Sequence, residues 1–183
     1  ALAEKASSNS SLKRFTYILA GDGDLQEPIA LGASTLAGHW KLSNLIMFYD
    51  KNDIQIAGNT SRVDSTDYAM LYDAMGWHVQ EIDGHNHEEI RTALGNAQSN
   101  DKPSIIIGKT VIAKGSHSLE NSPKSHGSPF SEDEIKLTKE KLEIPQDSFY
   151  CNEDIINHFQ RNFGLLNEKV AEIDTEFEKN YYD

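Results

Sequence analysis

Four short runs rich in apolar, β-branched and aromatic residues, Phe15–Ala20, Leu45–Tyr49, His78–Ile82 and Ser104–Ile112, alternate with helical patterns over Pro28–Gly38, Thr66–Met75 and His87–Gln98. A helix between two strands carries the chain back to start the next strand in the same direction. The alternation therefore predicts an α/β fold, a parallel sheet with helices on both faces. The first two runs are apolar along most of their length, which predicts central strands buried on both sides. Pro28 fits a first helical turn, where no N–H is required, and Gly38 fits the end of that pattern. Asn86 is a predicted cap, with Glu88 and Glu89 at the positive end of the helix dipole.

Between Lys114 and Pro129 the periodicity disappears, and His117, Glu120 and His126 fall in a predicted loop. Ser131–Lys141, Glu153–Phe163 and Asn167–Tyr181 then read as charged amphipathic helices. No internal repeat is present. The expected organisation is a partial domain over 1–142 followed by C-terminal helices over 143–183 that extend toward a next domain. Ala1–Ser11 reads as the tail of a helix and a loop entering a strand, so the chain is expected to begin within a domain.

Composition narrows the partners. Hydrophobic residues at 38% and charged residues at 25% suit a folded chain with one core. A formal net charge of −12, with no block of Lys or Arg to offset it, argues against nucleic acid phosphates. No apolar run approaches the ~20 residues that span a bilayer, and no signal pattern opens the chain, so neither membrane nor export is expected. The single cysteine, Cys151, has no internal disulfide partner and is expected to be a half-buried filler in a reducing, cytoplasmic setting. Trp40, Trp77, Phe48 and Tyr49 are expected to pack in the core or an interface rather than to stack on bases.

Chemistry concentrates where two strands end. The first run leads straight into Gly21-Asp22-Gly23-Asp24, with a helix expected a few residues later, and in an open parallel sheet ligands gather at the carboxyl ends of strands. Glycines on either side of Asp22 allow close backbone approach, and its carboxylate is a hard oxygen ligand. The next run ends in Asp50-Lys51-Asn52-Asp53-Ile54, which brings Asn52 to the same edge. A carboxylate, an amide oxygen and a nearby backbone carbonyl make a ligand set for a hard cation that leaves positions open for phosphate and water.

Gly21-Asp22-Gly23-Asp24 with Asn52 after the next strand resembles the thiamine diphosphate signature. The surrounding sequence resembles the transketolase family continuously from about Tyr17 to Leu142. The similar segments include Leu36-Ala37-Gly38-His39, Gly76-Trp77, Asp83-Gly84-His85, Lys102-Pro103-Ser104 and Ser125-His126-Gly127. The resemblance implies the thiamine diphosphate-binding fold, with Asp22, Asn52 and the carbonyl of Ile54 holding Mg²⁺ or Ca²⁺ and Gly23 offering its N–H to the diphosphate. It implies that Ile56 and Ile112 line the thiazolium and that His126 contacts the diphosphate and takes part in catalysis. Glu27 matches a glutamate of the family's subunit interface, or serves as an acid at a helix N-terminus. Pro28 and Gly32 depart from the family pattern beside it.

The implied activity is transfer of a two-carbon ketol group between ketose and aldose phosphates, in the pentose phosphate pathway, by a homodimer. The implied partners are sugar phosphates, the remaining domains and a second subunit. The catalytic glutamate of the family belongs to a pyrimidine-binding domain, so the chain alone is expected to be inactive. Two other expectations stand beside this one: a non-catalytic structural or interaction subunit of the same fold, and a subunit of another thiamine diphosphate enzyme such as a dehydrogenase.

Overall fold

A computed structural model describes residues 1–3, 14–56 and 58–182, with side chains of the last helix described as far as Thr175. Most of the expected segment Ala1–Ser11 lies outside the described residues. Two compact units divide the chain, Ala1–Lys141 and Leu142–Asp183.

The first unit is built on four parallel strands: β1 (Thr16–Gly21), β2 (Leu45–Lys51), β5 (His78–Asp83) and β6 (Ser104–Lys109), in the order β1-β2-β6-β5. A small antiparallel pair, β3 (Ile54–Gln55) and β4 (Gly58–Asn59), follows β2. Crossovers are made by α2 (Pro28–His39), α3 (Tyr68–Ala74) and α4 (His87–Gln98), and α5 (Glu132–Lys141) closes the unit.

Residue parity along the central strands makes three layers. Met47 and Tyr49 of β2 and Ile105 and Ile107 of β6 point to one face, where Ala37, Tyr72 and Trp77 cover them. Ile46 and Ile106 point to the other face and meet Ala93 and Ala97 of α4. Burying both faces is what makes β2 and β6 read as unbroken apolar runs. The α2 side is fixed by shape and by polar contacts together. Trp77 Nε1 donates to the Ser34 carbonyl at 2.9 Å, and Ser34 Oγ lies 3.1 Å from Tyr72 Oη. At Gly38 a Cβ would stand 1.8 Å from the carbonyl oxygen of Met75, so only glycine lets the helix sit this close.

Several expectations change. Among the described residues β1 is an edge strand, with Leu19 85% exposed and Tyr17 53% exposed; its apolar run reflects one covered face and one open one, and β6 takes the central place instead. A one-turn helix, α1 (Asp22–Gln26), begins directly at the end of β1, where a loop was expected. Asp24 accepts the Gly21 N–H at 2.8 Å and closes it. Glu27 leaves the helical region (φ −71°, ψ 130°), as a residue before proline must, and α2 then starts at Pro28. The strand expected to run to Ile112 stops at Lys109. Asn86 caps α4 as expected, accepting from Glu88 and Glu89 at 3.1 and 3.3 Å.

In the second unit, one helix, α6 (Glu153–Tyr182), replaces the two expected. Gly164 lies inside it, because an isolated glycine weakens a helix by only about 1 kcal/mol and does not end it. Cys151 is exposed rather than a half-buried filler. Trp77 is buried as expected, while Trp40 is 41% exposed. Among the described residues no helix is long and apolar enough to cross a membrane.

Candidate functional site

The strands are in register such that Gly21 lies opposite Asp50, and Asp50 opposite Gly108. Their carboxyl ends therefore form one rim, and the segments that follow β1, β2 and β6 leave from it. Asp22, the first residue of α1, is 5% exposed. Its Oδ1 accepts the Tyr49 hydroxyl at 2.7 Å, and its Oδ2 accepts the Asp53 N–H at 3.0 Å. Loss of hydration raises the Asp22 pKa above the ordinary carboxylate value, against the opposing pull of the Tyr49 hydrogen bond. The same burial, with the carboxylate beside it, pushes the Tyr49 phenol up, so Tyr49 keeps its proton and acts as donor.

The segment after β2 is shaped to meet Asp22. Asp53 adopts a left-handed conformation (φ 62°), and Asn52 Oδ1 accepts the Ile54 N–H at 3.0 Å, forming an Asx turn. Asn52 Nδ2 reaches Asp50 at 3.3 Å. Asp22 and the turn Asn52–Ile54 are thus joined through the Asp53 amide. Each carboxylate or amide oxygen keeps lone pairs beyond the bonds it accepts here, and the donor set is all oxygen, so these residues fit a hard divalent cation. Among the described residues there is no group of three or more His, Cys, Asp or Glu that could hold a metal. A cation at this rim would depend on Asn52 and on backbone oxygen.

Gly23 is exposed in the first turn of α1, and a Cβ added there would meet nothing within 4 Å. Its bareness is unrelated to the chain's own packing. Glu27 is exposed and caps α2 through its carbonyl, which accepts from Ala30 at 3.0 Å, while its side chain makes no cap bond. Ile56, just past β3, is 85% exposed.

The segment after β6 carries Ile112 and His126. Thr110 donates its N–H to the Lys51 carbonyl at 3.1 Å and its hydroxyl to Asp50. The Ile112 carbonyl accepts the Asn121 N–H at 2.9 Å, and Asn121 leads into a 3₁₀ turn, Pro123–Ser125, that ends at His126. Among the described residues, Nδ1 of His126 is buried with no hydrogen-bond partner, an unusual state for an imidazole nitrogen. The loop's middle is clamped to α5. Glu134 accepts the Ser118 N–H at 2.8 Å and the Ser118 hydroxyl at 2.6 Å, bonds that hold its carboxyl below the ordinary range. Lys141 Nζ donates to the Ser116 carbonyl at 2.7 Å.

Sequence reading missed Tyr49 and Asp53 as partners of Asp22, having placed Tyr49 in packing. The signal is the register. Tyr49 is opposite Ala20, and Ala20 shares its side of the strand with the residue two places on, Asp22.

A parallel sheet whose rim gathers a buried carboxylate and an Asx turn belongs to the open α/β class that holds ligands at strand ends. The family model described as transketolase, thiamine diphosphate binding domain, matches residues 2–182. The chain belongs to the transketolase family, in that domain. It is 38% identical over 149 residues to a transketolase of Halalkalibacterium halodurans, covering 80% of this chain and 22% of the relative. It is 37% identical over 179 residues to the chloroplastic transketolase of Zea mays, covering 92% and 26%. A crystal structure of transketolase from Campylobacter jejuni superposes with TM-score 0.89 at 41% identity, covering 93% of this chain and 27% of that one. The chain thus spans roughly a quarter of the length of these relatives.

Proposed function

We propose that this chain supplies the diphosphate- and metal-binding part of a transketolase, with residues 1–142 as part of that domain and 143–183 as a helical extension toward the next. The observation that carries the reading is Asp22. It is a carboxylate almost without exposure whose two oxygens are held by Tyr49 and by the Asp53 amide, which aligns it with Asn52 on the neighbouring strand end. An acid whose burial opposes its own charge is expected where a cation supplies the compensation.

In this reading Asp22, Asn52 and the Ile54 carbonyl hold Mg²⁺ or Ca²⁺, and Gly23, which has open space where a Cβ would stand, presents its N–H to the diphosphate. Ile56 and Ile112 form apolar contacts to the thiazolium. His126 turns its unpartnered Nδ1 or its other ring nitrogen to the diphosphate and substrate. Thiamine diphosphate, when bound, supplies the carbon that accepts the two-carbon ketol unit. The chain's own residues position it and balance its charge. Sugar phosphates are the proposed substrates of the whole enzyme, in line with a Pichia stipitis transketolase solved in complex with sedoheptulose-7-phosphate, 31% identical over 92% of this chain. Glu27 is proposed to face a second subunit in a cytoplasmic homodimer. The 183 residues alone are proposed to be inactive, because the catalytic glutamate of the family comes from another domain.

Calorimetric titration of thiamine diphosphate with Mg²⁺ into the chain, beside Asp22→Ala, tests this. Metal-dependent binding that vanishes in the variant is the expected result. Binding that ignores both metal and substitution overturns it.

A second reading, a non-catalytic interaction subunit, is favoured by α6. Ile155, Phe159, Phe163, Leu166 and Val170 recur at spacings of three and four and are exposed, an apolar stripe suited to a partner. Mixing with a chain carrying the pyrimidine-binding domain separates the readings: regained ketol transfer supports the first, and association without activity supports the second.

A further inference from the structure

Asp83, Gly84 and His85 end β5 in a turn that faces the segment after β6. Asp83 Oδ1 accepts the His85 N–H at 2.9 Å, and Glu89 accepts the Asp83 N–H at 2.9 Å, so the turn is tied from both sides. Gly84 donates to the Lys109 carbonyl at 2.9 Å. A Cβ on Gly84 would stand 2.5 Å from Thr110 Cγ2 and 3.1 Å from the Gly108 carbonyl carbon, so the two segments touch only because this residue is glycine. That closeness carries the next side chain across. Nε2 of His85 accepts the Val111 N–H at 2.8 Å.

We propose that His85 is a positioning residue: its imidazole anchors the Val111 peptide and so places Ile112, an inference that rests on Ile112 facing the cofactor. Val111 lies just beyond the last rung of the sheet, where Thr110 has already used the Lys51 carbonyl. After Ile112 the chain turns through Ala113 in a left-handed conformation (φ 51°), one that residues with a Cβ adopt only when their surroundings impose it. Four contacts frame it: His85 holds the Thr110–Val111 peptide, the Lys114 N–H the Val111 carbonyl at 3.3 Å, the Asn121 N–H the Ile112 carbonyl at 2.9 Å and the Ser116 N–H the Ala113 carbonyl at 3.0 Å. A ring nitrogen accepts only when it carries no proton, so His85 is fixed with its proton on Nδ1. The bare nitrogen that could have served a metal is committed to the backbone instead.

Three readouts on the full 183-residue chain test this. Ring ¹⁵N shifts of His85 in the unmodified chain are expected to place the proton on Nδ1; a proton on Nε2 overturns the proposal. In His85→Leu, amide exchange at Val111 without cofactor is expected to rise about tenfold, as for a lost hydrogen bond, while Ser118 and β2 stay unchanged. His85→Gln, whose amide oxygen reaches where Nε2 stood, is expected to restore slow exchange. With thiamine diphosphate and Mg²⁺, affinity is expected to fall about threefold to tenfold in the leucine variant and to recover in the glutamine variant. Unchanged Val111 exchange in His85→Leu, or no rescue by glutamine, overturns the anchor. An anchor lost with full affinity retained overturns its role toward the cofactor. If the unmodified chain binds no cofactor, the functional reading fails by itself, because the ring shifts and Val111 exchange are read without cofactor.

Discussion

Tyr49 and Asp22 lie on adjacent strand ends, and the tyrosine hydroxyl donates to the aspartate at 2.7 Å with both side chains nearly free of solvent. The pair concentrates a conflict. Burial raises Asp22, so its contribution to stability is fully present below the ordinary carboxylate value of 3.8 and is lost as pH rises through the raised one. Tyr49 limits that loss by stabilising the charged form. Tyr49→Phe is therefore expected to destabilise the cofactor-free chain by about 1.5–3 kcal/mol at neutral pH. The deficit is expected to shrink as pH falls and Asp22 takes up its proton. Urea melts at several pH values check this, and a deficit that is constant with pH would contradict it.

Two glycines make opposite predictions. Gly23→Ala adds a Cβ into open space within a helical turn and is expected to leave stability unchanged or raise it by about 0.5–1 kcal/mol, while abolishing thiamine diphosphate binding. Gly38→Ala drives a Cβ into the Met75 carbonyl and is expected to destabilise by about 3 kcal/mol or more. Parallel denaturation and titration of both variants decide the matter.

Glu134 gains stability from Ser118 in its charged form, so that contribution is present above the ordinary value of 4.5 and lost as pH falls through the lowered one. The Ser118 amide proton is expected to shift with a midpoint below 4.5, and Glu134→Gln is expected to remove the titration while keeping the turn. NMR titration of the two proteins reads this directly.

The open face of β1 presents Leu19 and Tyr17, while Ile18 on its other face joins Leu25, Ala33, Ala37 and Trp77 around a cleft of about 360 Å³. An edge strand with exposed apolar side chains favours pairing with another copy. Sedimentation is expected to show self-association that weakens in Leu19→Lys. Monodisperse monomer in the unmodified chain would contradict the prediction.

Much of the sheet was legible because β2 and β6 are buried on both faces and say so in unbroken apolar sequence. β1 misled for the same reason: Tyr17 and Leu19 are as apolar as buried residues, and a run of residues carries no mark of which neighbours exist. The one-turn α1 escaped notice because five residues hold no period. Its closure depends on Asp24 meeting the Gly21 amide, a contact visible only in three dimensions. Asp22 and Asn52 were legible from their places after successive strands. Tyr49 and His85 were not, since each acts through a neighbour reached by register or by a glycine contact. Glu134 follows Ser131 at capping-box spacing, yet its carboxylate turns to Ser118 instead.

The strand order also sets a timetable. β2 is flanked by β1, which precedes it, and by β6, which follows after two helices and the later-placed β5. During synthesis β2 has an apolar flank that waits for residues 104–109, and strands that lack a neighbour of this kind are marginal in water. The rim between β2 and β6 can therefore assemble only after the ribosome has released Lys109. The β2–β6 pairing is long-range in sequence, and pairings of that kind form slowly and leave apolar surface open in the interval.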